Sequence, residues 1–218
     1  MSKELLEILK LYATSKQENN FKEITQDSKE NIISLFIELI KAYLNDLNSS
    51  TLREMITVDI AGFKHLDKKI GYDGYRISSL TNEKEYCEVK PVNLRINDSG
   101  NLNKKFNGSG NFTDFSWKKL ARIEKDNIKM ILSGFLDGKL LYIISFSYSE
   151  SLFMEKLKQQ LENKYPDGDK IGFWLRSANF SYLDYKDAES LELIYLNQNI
   201  DEYKFAFVNQ FFELLKSL

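Results

Sequence analysis

The chain has 218 residues, enough for one domain with a good core. Its 43% hydrophobic and 28% charged residues, with 15 Phe and 12 Tyr, exclude a disordered chain. The 30 basic residues nearly cancel the 32 acidic ones, so no overall positive charge advertises a polyanion partner, and only the local distribution of charge can decide that question.

A single cysteine, Cys87, and a single histidine, His65, exclude an intramolecular disulfide, a cysteine-rich zinc centre and a histidine-rich metal site. No apolar run approaches the length of a membrane span, and no signal-peptide pattern opens the chain. The expectation is a cytoplasmic protein with no membrane partner.

Leu5, Leu6, Leu9 and Tyr12 predict a helix over residues 3–16. Asp27 with Glu30 has the form of a capping box, and opens a second helix to about residue 47 along Ile33, Phe36, Ile37, Ile40, Tyr43, Leu44 and Leu47. Residues 55–60 read either as a strand or as the end of a helix that starts near Thr51. Residues 73–79 alternate as a strand does, and residues 85–92 carry stronger β character in Tyr86, Val89 and Val92. A turn at Asn82-Glu83-Lys84 joins the two as an antiparallel hairpin.

Residues 93–114, rich in Asn, Gly and Ser, read as a long loop of the kind that carries function. A helix is expected over 115–133, a turn at Asp137-Gly138, and a central apolar strand over 140–148. A helix over 152–165 follows, then strands over 171–175, 180–185 and 191–196. A helix over 202–216 with Phe205, Val208, Phe211, Phe212 and Leu215 closes the chain. This order predicts an α/β (α+β) fold, a mixed central β-sheet flanked by helices, in a single domain. Within it, residues 1–48 form an N-terminal helical region, 50–150 a core, and 151–218 C-terminal strands and a helix.

The chemistry concentrates in Asp73 and in Glu88-Val89-Lys90. Glu88 and Lys90 are two apart, so on a strand they share one face. Two carboxylates suit a hard cation such as Mg2+, and an ammonium beside them suits a water and a phosphate. Cys87 falls on the opposite strand face and is expected to be a buried thiol. Asp59 or Asp67 can stand in place of Asp73, and Glu54 or Glu38 can add a further carboxylate. The same residues also suit a solvated hairpin, with Asp73-Gly74 as a turn.

The segment resembles the core of the PD-(D/E)xK nuclease superfamily, which includes many type II restriction endonucleases. There a helix precedes a β-meander, an Asp opens the second core strand, Glu-x-Lys lies on the third, and a helix and a further strand complete the core. Asp73, Glu88 and Lys90 match those positions over residues 50–150, although Tyr72 stands where the family often has proline. The resemblance implies a restriction-endonuclease-like core. Asp73, Glu88 and the carbonyl of Val89 would hold Mg2+, and Lys90 would serve the attacking water. The products would be a 5′-phosphate and a 3′-hydroxyl.

The expected partner is double-stranded DNA. Lys104, Lys105, Lys118, Lys119 and Arg122 supply cations for phosphates, with Lys118, Arg122 and Lys125 able to share one helix face. Asn107 and Asn111 supply amides for adenine edges, and the segment 174–179 can present Arg176 and Asn179 to base edges. Trp117 and Trp174 read as core or interface residues. A palindromic site calls for a homodimer, with residues 1–48 and 202–218 as candidate contacts. The competing readings are a structure-selective repair or phage-defence nuclease and a non-enzymatic binding module.

Overall fold

The computed structural model describes residues 2–14, 29–44, 50–66, 71–78, 82–97, 99–126, 128–168 and 174–218, the side chains of 40–44 excepted. Among the described residues, three helices come first: α1 (Lys3–Thr14), α2 (Lys29–Leu44) and α3 (Thr51–Ile60). The strands β1 (Lys64–His65), β2 (Gly74–Ile77) and β3 (Lys84–Leu94) then run as an antiparallel meander. After β4 (Gly110–Phe115), α4 (Trp117–Asp126) leads into β5 (Lys129–Leu136), which lies parallel to β3. A parallel neighbour cannot be reached by a tight turn, and α4 lies within the crossover that reaches it.

The strand β6 (Lys139–Ser147), the helix α5 (Ser151–Lys164), the strands β7 (Leu175–Phe180) and β8 (Glu192–Leu196) and the helix α6 (Asn209–Ser217) complete the order. The main sheet runs β1-β2-β3-β5-β6-β8, and β4 pairs with β7 in a separate antiparallel ribbon. The fold is therefore mixed α/β, as the order of elements predicts. No helix among the described residues is long and apolar enough to cross a membrane.

Alternation along the strands divides the core in two. Cys87, Val89, Ile131 and Ile143 face one way, onto Ile56 and Val58 of α3 and Ala13 of α1. Met130, Leu132, Ile144 and Phe146 face the other way, onto α4, α5, α6 and the ribbon, in a cluster rich in rings. Glu88 pairs with Met130 and Lys90 with Leu132, so both belong to this second face.

Several expectations change. The helix foreseen over 115–133 stops at Asp126, and its second half is β5. That strand is buried on both faces, so it shows none of the alternation that distinguishes a half-exposed strand from a helix. Residues 55–60 are the end of α3, not a strand. The polar stretch 93–114 contains most of β4, whose Phe112 and Phe115 are buried.

The strand foreseen over 171–175 begins only at Leu175, and residues 171–173 lie outside the described residues. In place of a strand over 180–185 there is a 3-10 turn, Tyr182–Asp184, closed by a capping box between Ser181 and Asp184. The last helix is divided: a 3-10 segment, Ile200–Ala206, is followed by α6. The break falls where Phe106 bridges to Phe207 and accepts the Val208 N–H. Asp27 lies outside the described residues, and so does the capping box expected there.

Gly134 sits inside β5 against Tyr142, where an added Cβ would meet the ring at 2.1 Å. Tyr142 is itself wedged among Phe106, Phe207 and Phe211 and has no room to yield. Gly134→Ala is expected to destabilise the fold by about 1–3 kcal/mol through overpacking, read as a lower urea midpoint at an unchanged slope.

Candidate active site

The β2–β3 register brings the two acids together. Gly74 pairs with Cys87, which sets Asp73 beside Glu88 at the open end of β2. The Asp73 N–H donates to the Cys87 carbonyl at 3.0 Å, and Leu66 donates to the Asp73 carbonyl at 2.9 Å. The side chain is held as well: Val89 N–H donates to Asp73 Oδ2 at 2.6 Å. Gly74 permits this approach, because a Cβ there would lie 2.9 Å from both Cys87 Sγ and Val58 Cγ1.

Glu88 is 8% exposed, an unusual burial for a glutamate. Lys90 Nζ donates to Glu88 Oε1 at 2.6 Å, the contact that i and i+2 on one strand face allow. Burial, and then the neighbouring charge of Glu88, push the Asp73 carboxyl up to about 7, against the pull of the Val89 N–H and of Lys90. Glu54 on α3 adds a smaller push of the same sign. The structure thus gathers Asp73, Glu88 and Lys90 at one point and sets Glu54 within electrostatic reach.

The alternative acids go elsewhere. Asp59 pairs with Lys10 at 2.6 Å, and Glu38 accepts from Ser2 Oγ at 2.8 Å. Asp67 lies outside the described residues. Cys87 is fully buried on the opposite face, where burial holds its thiol well above the usual range.

The floor of the site is Phe112 of β4. Lys90 Nζ stands 5.0 Å from its ring centroid and Lys119 Nζ 5.8 Å. Arg122, one turn further along α4, stands 5.5 Å over the Tyr72 ring, and the Tyr72 hydroxyl donates to Asp126 Oδ2 at 2.5 Å. Of the α4 cations, Lys119 is partly buried, while Lys118, Arg122 and Lys125 are exposed. The buried Tyr148 hydroxyl has no hydrogen-bond partner among the described residues. Its phenol is raised by burial and next by the charge of Glu88.

The other expected DNA contacts sort by element. Asn111 and Asn179 stand opposite one another in the β4–β7 ribbon, both exposed. Ser177 joins them: Asn111 Nδ2 donates to its Oγ at 3.1 Å, and that Oγ donates to Asn179 Oδ1 at 3.0 Å. Arg176 is exposed on the same strand. Lys104 and Lys105 are exposed, and Asn107 folds its own loop by accepting from Ser109 N–H at 3.1 Å. Among the described residues, none of these three bonds to the acid pair. Trp117 is tied down by its N–H to the Tyr165 carbonyl at 2.9 Å, whereas Trp174 is 48% exposed.

Sequence spacing finds the strand motif but not Phe112 or the site-facing side of α4. Those contacts depend on a ribbon whose two strands are about sixty residues apart in the chain.

Among the described residues no group of three or more His, Cys, Asp or Glu side chains is arranged to hold a metal. Two carboxylates with a nearby carbonyl nevertheless fit magnesium, which keeps several waters and needs one or two carboxylates. A strand residue's N–H and C=O leave on the same edge. The Val89 carbonyl, like its N–H, therefore faces the Asp73 side.

No protein-family model matches the chain, and no curated protein matches it either.

Asp73 gives the site a pH signature. Its folded pKa of about 7 lies above the unfolded value, so the native state holds the extra proton. Its stabilising contribution is complete below about pH 4 and is lost as pH rises through about 7. In chelator-treated protein, the urea midpoint is expected to fall between about pH 5 and about pH 8, with the fall flattened in Asp73→Asn. Equal falls in both proteins would assign it to another group.

Proposed function

We infer that this chain is a magnesium-dependent DNA endonuclease of the PD-(D/E)xK type, acting as a site-specific restriction endonuclease. The observation that carries the reading is the meeting of Asp73 and Glu88 across the β2–β3 pairing, with Lys90 joined to Glu88 from two residues along the strand. The order α3, β1, β2, β3, α4, β5, with β5 parallel to β3, supports it further. It is the helix, meander, helix and strand of the family that the motif resembles. The completing strand is β5, and the apolar strand foreseen over 140–148 is β6, its antiparallel neighbour.

Asp73, Glu88 and the Val89 carbonyl would hold the ion. When bound, magnesium supplies positive charge to the phosphate and lowers the pKa of a water. The protein's own part is placement and charge. Val89 N–H fixes the Asp73 carboxylate, and Lys90 holds Glu88 through Oε1. Lys90 has an ammonium that can release Glu88 and hold the attacking water beside the phosphorus. Lys119 and Arg122 add positive charge on the α4 side, where a polyanion would lie.

Cutting both strands of a palindrome calls for two copies related by a two-fold axis. Ile33, Phe36 and Ile37 of α2, 47% exposed or more, offer an apolar stripe for that contact.

Incubation with plasmid DNA and magnesium tests the reading. Wild type is expected to give discrete bands, and chelation to stop cutting. Glu88→Ala and Lys90→Ala are each expected to slow cleavage by about 10²–10³-fold or more. A smear in place of bands supports a structure-selective or non-specific nuclease. Equal inertness of wild type and variants across diverse DNA supports a non-enzymatic module and sinks the enzyme reading. Magnesium is also expected to raise the melting temperature of wild type more than that of Asp73→Asn, by mass action on the native state.

A further inference from the structure

Lys119 is a half-buried ammonium without an acid of its own. It sits in the first turn of α4, fixed by its backbone N–H to Ser116 Oγ at 3.2 Å. Its Nζ donates to the Thr113 carbonyl at 3.2 Å and lies 5.8 Å from the centroid of the Phe112 ring. Among the described residues no carboxylate stands within ion-pair distance of it. Lys90 is different: it faces the same ring from 5.0 Å and is tied to Glu88 at 2.6 Å.

The platform under the two lysines is rigid. Phe112 is fully buried and wedged among Phe115, Tyr148, Phe153 and Phe180. Two ammoniums therefore stand near one fixed ring, one paired with a carboxylate and one not. A half-buried charge without an acid is costly unless an anion completes it.

We propose that Lys119 is a second catalytic residue, the acid that protonates the leaving 3′-oxygen while Lys90 serves the attacking water. The proposal rests on the nuclease reading above. In an in-line displacement the attacking and departing oxygens lie on opposite sides of phosphorus, so one lysine cannot attend to both. Lys90, bridged to Glu88, stands on the water's side. Lys119 holds its proton less firmly than an ordinary lysine. Burial weakens that hold most, and the fields of Glu88 and Lys90 act on it with opposite signs.

The step balances. Water's oxygen bonds to phosphorus and its proton leaves to solvent. The bond from phosphorus to the 3′-oxygen breaks, its electron pair stays on that oxygen, and the Lys119 ammonium supplies the proton. The neutral amine then regains a proton from water.

Sulfur in place of the scissile 3′-oxygen tests the role, because a thiolate departs without an acid. Two duplexes carrying the cut found by plasmid digestion, one with oxygen and one with sulfur at that link, are compared with magnesium present. Lys119→Met keeps the apolar stem over Phe112 and removes the proton. It is expected to slow the oxygen substrate by about 10²–10³-fold in kcat with KM nearly unchanged. On the sulfur substrate it is expected to approach the wild-type rate, while Lys90→Met stays slow on both.

Wild-type speed of Lys119→Met on oxygen overturns the proposal. So does a folded Lys119→Met, checked by circular dichroism, that is slow on both substrates. If the methionine variant does not fold, Lys119→Gln is read by the same criteria. Failure of wild type to cut any DNA is a separate outcome: it removes the nuclease reading, and the role of Lys119 falls with it.

Discussion

The pairing of Gly74 with Cys87 fixes the strand residues of this site. It places Asp73 opposite Glu88, aims Glu88 and Lys90 at the ring-rich face, and sends Cys87 and Val89 to the other. A slip of one residue would reverse every side chain of β3. Glu88 and Lys90 would then enter an apolar layer against α3 without partners, and the thiol would face the cleft. The burial of Cys87 and Val89 under Ile56 and Val58 therefore holds the acids in place. Gly74 belongs to the same constraint, because a side chain there would push β2 away from both α3 and β3.

The electrostatics follow from that placement. Two carboxylates are brought close in a partly buried setting, and the arrangement raises Asp73 because like charges repel and burial disfavours ionisation. Cations are then recruited from two elements: Lys90 from β3 itself, and Lys119 and Arg122 from α4. A chain with a formal charge of −2 thus builds a local site of alternating sign. Its net charge says little about what it could bind, because the field near a cleft is set by the few charges that line it.

Aromatic rings do much of the positioning. Phe112 lies under both lysines, and Tyr72 lies under Arg122 while its hydroxyl reaches Asp126 at the end of α4. The ring cluster of Phe112, Phe146, Tyr148, Phe153, Phe180 and Tyr185 ties the ribbon to α5 and to the sheet. Contacts of this kind stabilise through area and through edge-to-face geometry. They also remove the freedom that would let the lysine ends wander.

The strand motif was legible because strand geometry is local: i and i+2 share a face wherever the strand goes, so Glu88 and Lys90 could be paired, and the length of one hairpin pointed to Asp73. Mixed α/β architecture was legible for the same reason, from helical spacing in α1 and α5 and from the apolar run of β6. The strand character of β5 was not, since burial on both faces erases the period that tells helix from strand. Phe112, Lys119 and the pairing of Asn111 with Asn179 required the fold. They meet because β4 finds β7 across a long stretch of chain, and no local spacing encodes which distant segment a strand will choose. Sequence by itself determined the donor chemistry and its strand, while the tertiary structure decided which cations and rings surround it, because those neighbours are set by long-range packing.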